Sequence, residues 1–80
     1  MSFRTSYLSP GVLLPEELAI VESVYDTIAA EKWFTDDEAK RRSFAAYVIA
    51  SYHRGLTDPS KLLRFCEIAA KRRFHKKGEA

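Results

Sequence analysis

Seven residues toward the C-terminal end could do chemistry together: Arg64, Lys71, Arg72, Arg73, His75, Lys76 and Lys77. Wound as a helix, Arg64, Ile68, Lys71, Arg72 and His75 share one outward stripe, about 17 Å long at 1.5 Å per residue. Guanidinium and ammonium groups in a row neutralise a phosphate backbone, and about five to eight such contacts make binding steeply salt-dependent. Ile68 adds an apolar group that could meet a thymine methyl. Cations near a helix C-terminus also stabilise the helix dipole, so a solvated, purely structural basic end is the competing reading. The candidate nucleic-acid-binding set is therefore Arg64, Ile68, Lys71, Arg72 and His75, with Lys76 and Lys77 extending its reach.

Other reactive groups lack partners for catalysis. Cys66 falls on an apolar face with Leu62 and Ala69, where a thiol serves as a small core residue rather than a nucleophile. His53 and His75 share no metal-ligand spacing with Cys66 or with each other. A capping role in the last turn of its helix suits His53 better. Glu22 and Asp26, one turn apart, read as a solvated face. There is no glycine-rich phosphate loop and no Ser/His/Asp set, and three short helices leave little room for a deep pocket. The sequence thus points away from an enzyme, with no cofactor and no metal site.

The elements that must position these groups are helical. Pro15 suits a first helical position, Glu16 and Glu17 meet the positive end of the dipole, and Leu18, Val21, Val24, Tyr25 and Ile28 recur at helical spacing. This predicts a first helix over about 15–32, with Trp33 and Phe34 plugging the corner. Thr35-Asp36-Asp37-Glu38 reads as a capping box in which Thr35 and Glu38 satisfy each other's backbone N–H groups. It opens a second helix over about 36–54, stopped by Gly55. Ser43–Tyr52 within it holds no charge in a chain that is 30% charged. Apolar on nearly every side, it predicts a helix buried between the others, with Ala46 and Ala50 at close approaches.

Asp58-Pro59 reads as N-cap and first residue of a third helix over about 59–74. In it, Leu62, Leu63, Cys66, Ala69 and Ala70 form the inner face and Phe65 the flank. The short link invites comparison with a helix-turn-helix, although Pro59 leaves a turn of about one residue. The expected architecture is all-α: an arm over 1–14, a three-helix bundle over 15–75 and a basic tail over 76–80, with fraying beyond Phe74. The arm has a turn at Ser9-Pro10-Gly11 and scattered apolar residues.

Asp26-x-Ile28-x-x-Glu31, followed by Tyr52-x-Arg54-Gly55-x-x-Asp58 ahead of a leucine-containing helix, resembles short uncharacterised helical proteins of alphaproteobacteria. The resemblance spans the three helices and not the arm. It implies a bacterial helical fold, carried by cap and core residues, and no particular activity.

Composition sets the outer bounds. Eighty residues make one domain, burying about 60% of its unfolded surface. No apolar run approaches the ~20 residues of a membrane span, no signal-peptide h-region is visible, and one cysteine excludes an internal disulfide. A cytoplasmic location is expected. Residues 1–40 carry three basic and eight acidic groups, a net of −5, and residues 41–80 carry ten and three, a net of +7. The halves could neutralise each other across the fold, or the second could keep a basic face for an anionic partner. Two functions follow: nucleic-acid binding by the third helix and tail, or protein interaction through the acidic first helix or the apolar arm.

Overall fold

The computed structural model describes residues 13–76. Three helices, α1 (Pro15–Ala29), α2 (Glu38–His53) and α3 (Pro59–Arg73), each pack against the other two. No strand occurs among the described residues; the fold is the all-α three-helix bundle that the periodicity predicts.

In α1, the Leu14 N–H donates to Glu17 Oε1 at 2.9 Å, so a glutamate in the first turn ties down the residue before Pro15. Val21, Val24, Tyr25 and Ile28 are buried at spacings of three and four, and Leu18 is half-buried. The helix stops three residues short of the expected end. A tightened turn, Glu31 N–H to Ile28 O at 3.0 Å and Phe34 N–H to Glu31 O at 3.1 Å, replaces its last residues. On a continued helix Phe34 would point about 120° away from Ile28, at ~100° per residue. The turn instead drives it fully into the core.

The start of α2 corrects the capping box. The N-cap is Asp37, whose Oδ2 accepts from the Lys40 N–H at 3.0 Å. Thr35 is buried and occupied elsewhere. Its N–H donates to the Phe74 carbonyl at 2.8 Å, its carbonyl accepts from Arg41 Nε at 2.9 Å, and its hydroxyl accepts from the Asp37 N–H at 3.1 Å. These tertiary bonds hold Thr35 outside the helix, and the next good acceptor in the chain takes the cap.

Nor is α2 buried all round. Phe44, Ala45, Val48 and Ser51 are buried, Tyr47, Ile49 and Tyr52 are half-buried, and Ala46 and Ala50 face water. Each helix of a three-helix bundle has two flanks to cover and one side left open, and alanine costs little on the open side. The core is shared: Val21, Val24 and Ile28 meet Phe44 and Val48 of α2, and Leu62, Cys66 and Ala70 of α3. Phe34, Phe44 and Phe74 form its aromatic end, with Phe44 centroids 5.2 Å from Phe34 and 5.1 Å from Phe74.

After α2 the chain turns as expected. Gly55 has φ +113°, its N–H donates to the Tyr52 carbonyl, and the Leu56 N–H returns to the Ser51 carbonyl. That pair of bonds is a Schellman closure, with Leu56 packed on the core. Asp58 Oδ2 then accepts from the Lys61 N–H at 3.0 Å, and Pro59 opens α3. The link therefore runs from Arg54 to Asp58, longer than the one-residue turn expected. The Phe44 ring meets Phe74 and, nearly one turn on, Tyr47 meets Phe65, so α2 and α3 run antiparallel in contact. A helix-turn-helix joins its helices at a corner of about 90–120°, so the likeness does not extend beyond the short link.

At the far end of α3 the chain does not fray. The Lys76 N–H donates to the Trp33 carbonyl at 2.7 Å, and Phe34 and His75 form an antiparallel bridge. Residues 74–76 are thereby stitched to the corner between α1 and α2.

Candidate nucleic-acid interface

Four of the seven predicted residues sit on the exposed surface of α3: Arg64, Ile68, Lys71 and Arg72. The other three do not join them. His75 lies past the helix end in the bridge with Phe34, half-buried, its Nδ1 2.9 Å from the Lys76 carbonyl. The helix ends at Arg73, two residues before His75, so the helical stripe does not reach it. Lys76 is half-buried and held by its backbone, and Lys77 lies outside the described residues.

The four that remain fall on two flanks of α3, with Ile68 at the border of both. Toward α1, Arg64, Ile68 and Lys71 line a shallow hollow with Ser60, Leu63 and Glu67. Here the charge is partly spent. Lys71 Nζ is 3.9 Å from Glu67 Oε2 and 5.8 Å from the centre of the Trp33 ring. An exposed pair of this kind adds little stability, yet it places a carboxylate where a phosphate would approach.

Toward α2 the surface is different. Tyr47, Phe65, Ile68, Ala69, Arg72 and Arg73 line a second hollow, and none of them is acidic. The Tyr47 and Phe65 rings lie 7° from parallel with centroids 5.9 Å apart. The Arg73 guanidinium sits 5.7 Å from the Tyr47 centroid, within cation–π range. Phe65 is 46% exposed and Ile68 55% exposed, so two large apolar side chains meet solvent beside two arginines. Helical spacing extends this face: Lys40 and Ser43 precede Tyr47 by seven and four residues, and Lys61 precedes Phe65 by four, all three exposed.

Sequence reasoning missed Tyr47 and left Phe65 at the flank of α3. It counted Arg73 in the basic run but did not place it at the site. The signal was present in part, since Lys61, Phe65, Ile68 and Arg72 recur at spacings of four, three and four. What brings Tyr47 to them is the pairing of α2 with α3, which no local pattern encodes.

Two other basic groups at the start of α2 already have partners within the fold. Arg41 donates to the Thr35 carbonyl and lies 5.3 Å from the Phe34 ring centre, and Arg42 is 3.7 Å from Glu38. Cys66 is fully buried, and desolvation pushes its thiol from an ordinary 9.0 to about 11, with the neighbouring Ser51 side chain acting in the other direction. A thiol so protonated and enclosed is a poor nucleophile. His53 is exposed at the end of α2 with its ring edge-on to Tyr52. Among the described residues no three His, Cys, Asp or Glu side chains gather where they could hold a metal ion, and no helix is long and apolar enough to cross a membrane.

Compared with known proteins, the chain matches no family model, no curated protein and no solved structure.

Proposed function

We propose that this protein is a non-enzymatic, cytoplasmic binding module for nucleic acid. Its binding surface is the face between α2 and α3, centred on Arg72 and Arg73, with Arg64 and Lys71 on the adjoining flank. One observation carries the reading: Arg72 and Arg73 rim a hollow floored by Tyr47 and Phe65 whose lining contains no carboxylate. Guanidinium groups beside an exposed ring, that of Phe65, suit a ligand that is both anionic and aromatic. A catalytic role finds no support in the arrangement of Cys66, His53 or His75.

Titration with a labelled nucleic acid at ~50 and ~200 mM salt tests this directly. If about four phosphates are neutralised, affinity should fall roughly 50-fold across that range, from the slope of about −0.7 per contact on a single strand. Arg72→Glu with Arg73→Glu should abolish binding without altering the helical spectrum, because both side chains are exposed. Binding that ignores both the charge reversal and the salt would refute the proposal.

A second reading is a protein-interaction module that uses acidic α1 or the arm before it. Leu14, 57% exposed at the head of α1, is the observation in its favour. A partner that still binds the Arg72/Arg73 double variant and is lost on Leu14→Glu would support that reading.

A further inference from the structure

We infer that the nucleic acid held on the α2–α3 face is single-stranded, its bases stacking on Phe65 beside Tyr47 while its phosphates meet Arg72 and Arg73. The inference rests on the nucleic-acid reading and narrows it. In a duplex the base faces are hidden in the stack, and a protein meets base edges and backbone. A phenyl ring has no donor or acceptor with which to read an edge. Phe65 and Ile68, each about half exposed, would face a duplex across its phosphates, a poor partner for apolar surface. An unpaired base offers its π face, and every base has one.

The rings are also set in advance. Tyr47 and Phe65 come from different helices and lie nearly parallel, 7° apart, and Arg73 rests over Tyr47. Tyr47 is further wedged against Phe44, with their rings 16° from parallel and 6.5 Å apart. Little side-chain freedom is therefore left for a base to quench, which lowers the entropic cost of binding. The charges extend far enough for a short strand. Lys61 to Arg72 spans about 17 Å of helix, room for a few phosphates of an extended strand. A second copy of this chain is a weaker candidate for the same face. Two-fold pairing there would set Arg72 and Arg73 close to the same residues of the partner, with no carboxylate in the hollow to answer them.

The test uses the full chain, a labelled 12-nucleotide oligo-dT and its oligo-rU counterpart, and a 12-base-pair duplex. Three proteins are compared: unmodified, Phe65→Leu, and Arg72→Gln with Arg73→Gln. Phe65→Leu keeps an apolar side chain and removes the ring, and since Phe65 is exposed its unfolding midpoint should stay near that of the unmodified protein. The single strands should bind at least tenfold more tightly than the duplex. Phe65→Leu should weaken them by between about fivefold and about a hundredfold, with the salt slope unchanged. The arginine pair should weaken all ligands and flatten the slope by about 1.4. Duplex binding as tight as single-strand binding, or Phe65→Leu without effect while the arginine variant fails, would overturn the inference and leave the broader proposal standing. No binding of any nucleic acid at low salt would remove both.

Discussion

Cys66 offers a measurement of how tightly the core closes, independent of any ligand. Its side chain is fully buried, and its thiol is pushed up to about 11 by desolvation. A folded-state pKa above the unfolded one means that the fold favours the protonated form. The associated stability is complete below the unfolded value, 9.0, and is lost as pH rises through about 11. At pH 10 the unfolded thiol is mostly thiolate while the folded one is mostly protonated, a difference worth about 1.3 kcal/mol relative to pH 8. Tyrosines and lysines also titrate in this range, so the effect must be isolated by comparison with Cys66→Ala. That variant leaves a small cavity, a cost that does not depend on pH. Urea unfolding of both proteins at pH 7, 8, 9 and 10 should give a stability difference that is constant to pH 8 and then shrinks by about 1.3 kcal/mol by pH 10. A difference that stays flat would mean that the thiol titrates normally in the folded protein, and the tight packing of α3 against its neighbours would be refuted.

Three further substitutions test the fold. Asp37→Ala should cost about 1 kcal/mol of unfolding free energy through loss of the cap on the Lys40 N–H, and an unchanged urea midpoint would move the start of α2 elsewhere. Ala45→Leu, at a fully buried position, should cost about 1–3 kcal/mol by overpacking, whereas Ala46→Leu and Ala50→Leu should stay within about 0.5 kcal/mol; equal thermal stability of all three would reverse that assignment. Gly55→Ala should lower stability by about 1 kcal/mol, read by the same melts, and the loss must come from φ +113° alone because nothing lies within 4 Å of the added methyl.

The features that the sequence exposed correctly are those governed by neighbours in the chain. The buried face of α1, the Asp58-Pro59 start of α3 and the Gly55 stop each depend on a few consecutive residues. The features that it concealed depend on long-range partners. Thr35 has the chemistry of an N-cap, but its N–H is claimed by Phe74, thirty-nine residues away, so Asp37 wins. Alanine is equally at home in core and on surface, so the uncharged run of α2 could not reveal that Ala45 is buried and Ala46 is not. At the candidate site, the outward positions of Arg64, Ile68, Lys71 and Arg72 were legible from helical spacing. Their division into a flank shared with Glu67 and a flank shared with Tyr47 was not, because it is set by which helix packs on which side.

That division separates two kinds of surface. On the α1 flank the surface is that of a solvated helix apart from Ile68, which both hollows share: Lys71 pairs with Glu67 one turn away, and Leu63 tucks against the core. The α2 flank departs from that pattern. Phe65 and Ile68 stand in water, one turn apart, beside a half-buried Tyr47 and two arginines that have no carboxylate in the hollow with them. A single exposed apolar residue needs no explanation. Phe65 covers part of Tyr47 by stacking on it, yet nearly half of its surface, and more than half of that of Ile68, is left to water. Where several local choices disagree with the fold side by side, function is a common cause of the conflict. The conflict here joins π surface to positive charge, and an unpaired nucleotide carries the complement of both.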